Sequence, residues 1–324
     1  MDIKKLIALE VKDGVFALHK GLLSDHFSEI ASVTADSFKR YPNSLLFEKA
    51  NTFIGHDLFY SFPGDLDSLA KVGFFPAAQI QFELHRAITH TSFGHYRAIY
   101  DSLRRALELS IVGVHFLSES ISKDDAENWM KSETDTPMLK RSIKAINRYD
   151  LGMELNKRFS LSENIRELYR ELCNIVHVKG EQYGYRELDK ACVSSPIYSL
   201  SSFSEESFFL ALDDYVEVVR HIALTVSILN PVILEGFPIS DKFGINGPIS
   251  GFLEPEQSKR VRELIPDKYL DYIMEWKETS DKIQGVRDWI SQFPDISIED
   301  LKKQLDDHDR WFQSFSQPKA EHSE

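Results

Sequence analysis

Residues 76–118 read PAAQIQFELHRAITHTSFGHYRAIYDSLRRALELSIVGVHFLS, and this run decides the fold class. Tyr96, Ile99, Tyr100, Leu103, Ala106, Leu107, Ser110, Ile111, Val114 and Leu117 recur at helical spacing, while Arg97, Asp101, Arg104, Arg105 and Glu108 fall on the other side. A 3.6-residue period held over several turns predicts a helix with a wide apolar stripe. Arg97/Asp101, Asp101/Arg105 and Arg104/Glu108 are opposite charges four residues apart, each pair contributing roughly 0.2–0.5 kcal/mol. A helix this long cannot bury its stripe alone, so other helices must pack against it. Gly94 marks a bend, which divides the run into helices over 76–89 and 94–118.

The same reading extends outward. Residues 2–31 carry a workable stripe, and 32–41 extend it or form a short second helix. Residues 45–59 predict a helix, and Phe62-Pro63-Gly64-Asp65 a turn. Ser122 reads as a cap, Thr136 as a cap for a helix over 138–147, and Gly152 as a joint. Residues 162–178 and 205–229 predict further helices, with Gly180 and Pro231 as stops. The glycine- and proline-rich stretch 235–255 reads as a linker or large loop. Helices over 255–265, 266–292 and 297–312 follow, the last capped by Ser297. The expected fold class is all-α.

Composition bounds the partners. Apolar residues make up 42% of the 324, which supports a substantial core, and the net charge is −13. That acidity disfavours a whole-surface nucleic-acid binder while leaving room for a local phosphate site. Cys173 and Cys192 form no disulfide framework and no CxxC. No signal peptide and no apolar run long enough to span a membrane are visible, so a cytoplasmic location with no membrane partner is the expectation.

The chemically suggestive run is residues 170–177, RELCNIVH. Arg170, Asn174 and His177 share one helical face. An arginine offers a fork of donors to phosphate, and a histidine exchanges protons near neutral pH. Asn174 between them can orient a ribose, a phosphate or the imidazole. His177 would activate a ribose 2′-hydroxyl or protonate the leaving oxygen, and Arg170 would stabilise the phosphorane. DNA lacks that internal nucleophile, so RNA is the favoured substrate.

This run resembles the Arg-x4–6-His motif of HEPN domains. The long helix with SLRRALELSIVGVHFL and the LYRELCNIVHVKG run are similar to that family as well. The resemblance covers roughly residues 76–230. It implies a HEPN-like helical bundle over 76–234, with a helical extension over 1–75 and a loop and C-terminal helical region over 235–324. It also implies a homodimer in which the Arg and His pairs of two protomers converge, and a metal-independent endoribonuclease of defence or RNA turnover. Arg97, Arg104, Arg105 and Lys179 become candidate RNA-binding residues beside catalytic Arg170, Asn174 and His177. The chain departs from the pattern in placing Glu171 directly after Arg170. Family members with a degraded motif serve as RNA-sensing or protein-interaction modules, and a third reading is an acidic scaffold or regulator with a protein partner.

Other clusters carry less. His85, His90 and His95 step by five, which rotates them around a helix, so neither a metal nor a cofactor is implied. Asp213-Asp214 and Asp306-Asp307 are adjacent acids that point in different directions. Gly244, Gly247 and Gly251 lack a P-loop lysine. Trp129, Trp276, Trp289 and Trp311 read as packing anchors, and Cys173 as a buried structural thiol.

Overall fold

The computed structural model describes residue 28 and residues 30–177 and 203–316. The expected helix over 2–31, apart from its end, lies outside the described residues, as do Lys179 and Cys192. Among the described residues the protein is all-helical, with no strand. A helix over 30–38 leads into Ser44–Thr52, a π-helical turn at Phe53–Asp57, and the short helices Leu58–Ser61 and Leu66–Lys71. Phe75–Ser92 and Tyr96–Leu117 are separate helices, as expected. Gly94 has φ +71°, and the His95 N–H reaches back to the His90 carbonyl at 2.9 Å, a left-handed helix stop. Lys123–Met130, Leu139–Ile146, Asp150–Phe159, Leu161–Val176 and Glu205–Leu229 follow. The chain ends in Ile239–Phe243, Pro255–Leu264, Asp267–Thr279, Asp281–Ser291 and Ile298–Ser316.

Several helix starts are written in the sequence. The side chains of Asp65, Ser122, Ser204 and Ser297 accept from the backbone N–H three residues on, at 2.9, 3.1, 3.2 and 3.1 Å. Others depart from expectation. Thr136 is not a cap, because its hydroxyl accepts from the Trp129 indole N–H at 3.1 Å. The helix expected over 266–292 is two helices, broken where Ser280 is extended at ψ 115°. Trp129 stacks on Phe116 at 4.7 Å as an anchor should, but Trp289 and Trp311 are 41% and 57% exposed.

The chain divides into two compact units. The first takes in the described residues of Met1–Ala50, Ile80–Glu108 and Ile165–Val219. Its aromatic cluster links Phe38 to Phe47 at 5.2 Å, Phe47 to Tyr215 at 5.4 Å and Tyr41 to Phe209 at 5.4 Å. Adjacent Asp213 and Asp214 do point apart: Tyr41 donates to one and Tyr100 to the other, both at 2.6 Å.

The second unit comprises Asn51–Gln79, Leu109–Asn164 and Arg220–Glu324. The π-helical turn aims Asp57 inward, where it is fully buried and accepts from Arg260 Nε at 2.6 Å and Gln257 at 2.9 Å. Residues 235–255 form a packed loop with a short helix inside it, since Phe237 N–H bonds Leu253 at 2.8 Å and Gly251 N–H bonds Tyr60 at 2.7 Å. Glu235 holds Lys277 at 2.7 Å and both Arg287 donors at 2.8 Å.

Gly152 is inside a helix rather than at a joint. A Cβ there would sit 2.2 Å from the Ile146 carbonyl oxygen and 2.9 Å from Ile228. Alanine gains about 1 kcal/mol of helix propensity over glycine, but overpacking against fixed backbone costs typically 1–3 kcal/mol or more. Gly152→Ala should therefore destabilise by about 2 kcal/mol in urea denaturation. Gly285→Ala, whose Cβ meets nothing within 4 Å, should stabilise by about 0.5–1 kcal/mol.

Acid should release the Glu235 contacts. Hydrogen bonding from Arg287, opposed by burial and assisted by Lys277, holds its carboxyl below the ordinary value of 4.5. The unfolded chain then takes up the proton first as pH falls, so this stability is present well above pH 4.5 and is lost through the depressed folded value. Glu235→Gln should cost about 2 kcal/mol at neutral pH, and its difference from wild type should shrink below pH 4.5 when unfolding is followed against pH.

Candidate functional site

The candidate residues lie in the first unit. Helix Leu161–Val176 ends in a turn at His177, whose N–H bonds the Cys173 carbonyl at 2.9 Å. Arg170 and His177 are both exposed, two helical turns apart in sequence, and Asn174 is partly buried. Arg170 has a carboxylate neighbour, Glu167, at 3.6 Å, with the two side chains 57% and 58% exposed. Cys173 is a free thiol and only partly buried, so the expectation of a core thiol is not met.

The arginine face of residues 96–108 does meet this helix. Tyr169 donates to Glu108 at 3.4 Å, and Arg104 stands beside Tyr169 and Cys173. Burial, reinforced by Glu108 and Cys173, raises the Tyr169 hydroxyl above its ordinary value, keeping it a neutral donor.

Arg104 and Arg105 are engaged within the unit. Asp101 pairs with Arg104 at 3.1 Å and with Arg105 at 2.6 Å. Arg105 Nε also contacts Glu83 at 3.1 Å, and Arg86 contacts the same oxygen at 3.5 Å. Arg97 is partly buried. The Gly94 stop brings the His90 and His95 rings to 6.0 Å, and burial, then His95, Arg86 and Arg105, pull His90 below its ordinary value.

Glu83 is the residue that sequence reading passed over. It is 7% exposed, and its Oε2 accepts no hydrogen bond among the described residues. The Glu83/Arg86 spacing was visible, but the contact with Arg105 depends on how two helices pack. No protein-family model, curated protein or solved structure matches the chain.

Removing Glu83 would leave Arg105 and Arg86 without their shared carboxylate. Breaking a buried pair from one side costs about 3–5 kcal/mol, less where one partner keeps some access to water. Glu83→Ala should destabilise by about 3 kcal/mol, whereas Glu108→Ala, which loses one long hydrogen bond, should cost about 1 kcal/mol or less. Urea denaturation of both variants measures the contrast.

Proposed function

We propose that this chain is a HEPN-like helical protein that cleaves RNA without a metal ion, with His177 transferring protons and Arg170 binding the scissile phosphate. The observation that carries the reading is the exposure of both side chains at the same end of one helix, beside an arginine-bearing helix. In the reaction the ribose 2′-oxygen bonds to phosphorus and the bond to the 5′-oxygen breaks. The products are a 2′,3′-cyclic phosphate and a 5′-hydroxyl. One imidazole takes the 2′-proton and a second protonates the departing oxygen, which is why a homodimer accompanies this reading. Arg170 stabilises the charge that develops on the phosphorane. Asn174, on the same face, orients the imidazole or the ribose.

The noncatalytic alternative, an RNA-sensing or protein-interaction module, is favoured by one feature. Glu167 and Glu171 flank Arg170 and lower the positive potential there.

Incubating full-length protein with a varied RNA panel in excess EDTA tests the reading. Wild type should generate cyclic-phosphate ends. His177→Ala should cut at least about 100-fold more slowly, the usual loss on removing a general acid–base, and Arg170→Ala should fall comparably. Melting curves establish that each variant is folded. If wild type leaves the panel intact but retards RNA in gels, the sensing module replaces the nuclease. Intact RNA without retardation removes both.

A further inference from the structure

The last helix of the second unit, Ile298–Ser316, is anchored at its start and bare along the rest. Ser297 caps it by accepting from the Asp300 N–H at 3.1 Å, and the Ile296 N–H bonds the Asp241 carbonyl at 2.8 Å. Lys242 pairs with Asp295 at 2.7 Å, and Gln304 Nε2 donates to the Phe243 carbonyl at 3.0 Å. Beyond Gln304, every residue from 305 to 313 is exposed. We propose that this helix docks on the same helix of a second copy of the chain, the two lying antiparallel.

The spacing names a helix as the partner. Ile298, Leu301, Leu305, His308 and Phe312 follow one another by three, four, three and four residues. That alternation is the a/d seam of a pair of helices, narrower than the stripe of a helix packed into a core. Ile298 is 73% exposed, Leu305 46% and Phe312 54%. Helical stability in proteins comes mostly from covering the apolar face, and a short helix without that cover is marginal in water. The polar side of the helix is acidic, with Glu299, Asp300, Asp306, Asp307 and Asp309 against Lys302, Lys303 and Arg310. An anionic lipid surface or a nucleic acid is repelled by that balance.

Charge selects a second copy and its direction. Lys302 and Asp309 flank one edge of the seam and are both exposed, while Gln304, which holds the body, lies on the other edge. Seven residues separate Lys302 from Asp309, about 10 Å along their own helix, so they do not pair with each other. An antiparallel copy sets Leu305 against His308 and Leu301 against Phe312, and brings Lys302 of each chain beside Asp309 of the other. A parallel copy would set Lys302 beside Ser297 and Asp309 beside Gln304, with no charge pair, and would align the aspartates at 306, 307 and 309 with their equivalents. The antiparallel pair is its own two-fold complement, so it closes at two chains.

Sedimentation velocity of the full chain, diluted from about 100 μM, tests this by mass action. A helix of 19 residues offers a small interface, so the Kd should be on the order of 10 μM. Leu305→Glu and Phe312→Glu should each weaken association at least about tenfold and halve the mass at the highest concentration. Lys302→Glu should weaken it about fivefold, and adding Asp309→Lys should restore it. All four variants should melt as wild type does at low concentration, because the substituted side chains are exposed. A wild-type mass unchanged by dilution would overturn the proposal, as would seam variants that associate like wild type. Failure of the charge reversal to restore association would overturn the antiparallel pairing. The homodimer of the RNA reading involves the first unit and is indifferent to these substitutions, so either proposal can fail alone.

Discussion

No side of the run from His221 to Leu234 faces water, and the second unit is built around that fact. A buried helix must find every polar partner inside the protein, because an unmet buried group costs about 1–3 kcal/mol. Thr225 and Ser227 solve this locally by bonding the carbonyls one turn back, at 2.7 and 2.8 Å. Asn230, beyond the last turn, cannot, so its amide reaches Ser61 at 3.1 Å and Gly251 at 2.8 Å. The carbonyls of Ile233 and Leu234 are met by Ser258 and Arg262. Gly152 permits the close approach of a neighbouring helix to Ile228. Ser258 and Arg262 come from one helix, and the carbonyls of Ser61 and Gly251 from two other stretches, so satisfying one buried segment fixes where three others lie.

Ionisable groups in the same unit follow the same constraint with larger stakes. Asp57 is accepted into a dry site because Arg260 and Gln257 are brought to it by the helix that begins at Pro255. His115 resolves the problem differently. Burial, with help from Arg141 and Arg148, pushes it down to about 4, so it remains neutral at physiological pH. Its Nδ1 accepts or donates no hydrogen bond among the described residues. A neutral imidazole tolerates that omission where a charged one would not.

What the sequence disclosed was whatever depends on near neighbours. The apolar period of residues 96–117 needs only the helix that carries it, and the caps at Ser122 and Ser297 act over three residues. Gly94 was legible because a left-handed residue at that point stops a helix regardless of surroundings. Thr136 and Gly152 were misread because side chains several residues away or further decide them, and the helix over 266–292 because its pattern shows no break at Ser280. Trp129 claims the threonine hydroxyl, Ile146 and Ile228 require the glycine, and an extended serine breaks a continuous helical pattern. For the candidate site, the Arg170–His177 spacing was plain in the chain, but the pairing of Arg105 with Glu83 spans two helices and carries no local signature.

That pairing separates the arginines by what it would take to free them. Arg170 and Glu167 are both more than half exposed and 3.6 Å apart, a contact worth about 0–1 kcal/mol. A phosphate offers Arg170 two parallel charge-assisted hydrogen bonds, so the ion pair is no obstacle to binding RNA. Arg105 is in the opposite position. Releasing it would leave Glu83, a residue 7% exposed, with only the longer Arg86 contact at 3.5 Å, at a larger cost. Arg104 shares Asp101 with Arg105, and its side chain is 23% exposed, so it too is partly committed. A nucleic acid crossing this face would therefore engage Arg170 first, with Arg104 and Arg105 shaping the local potential through bonds they keep.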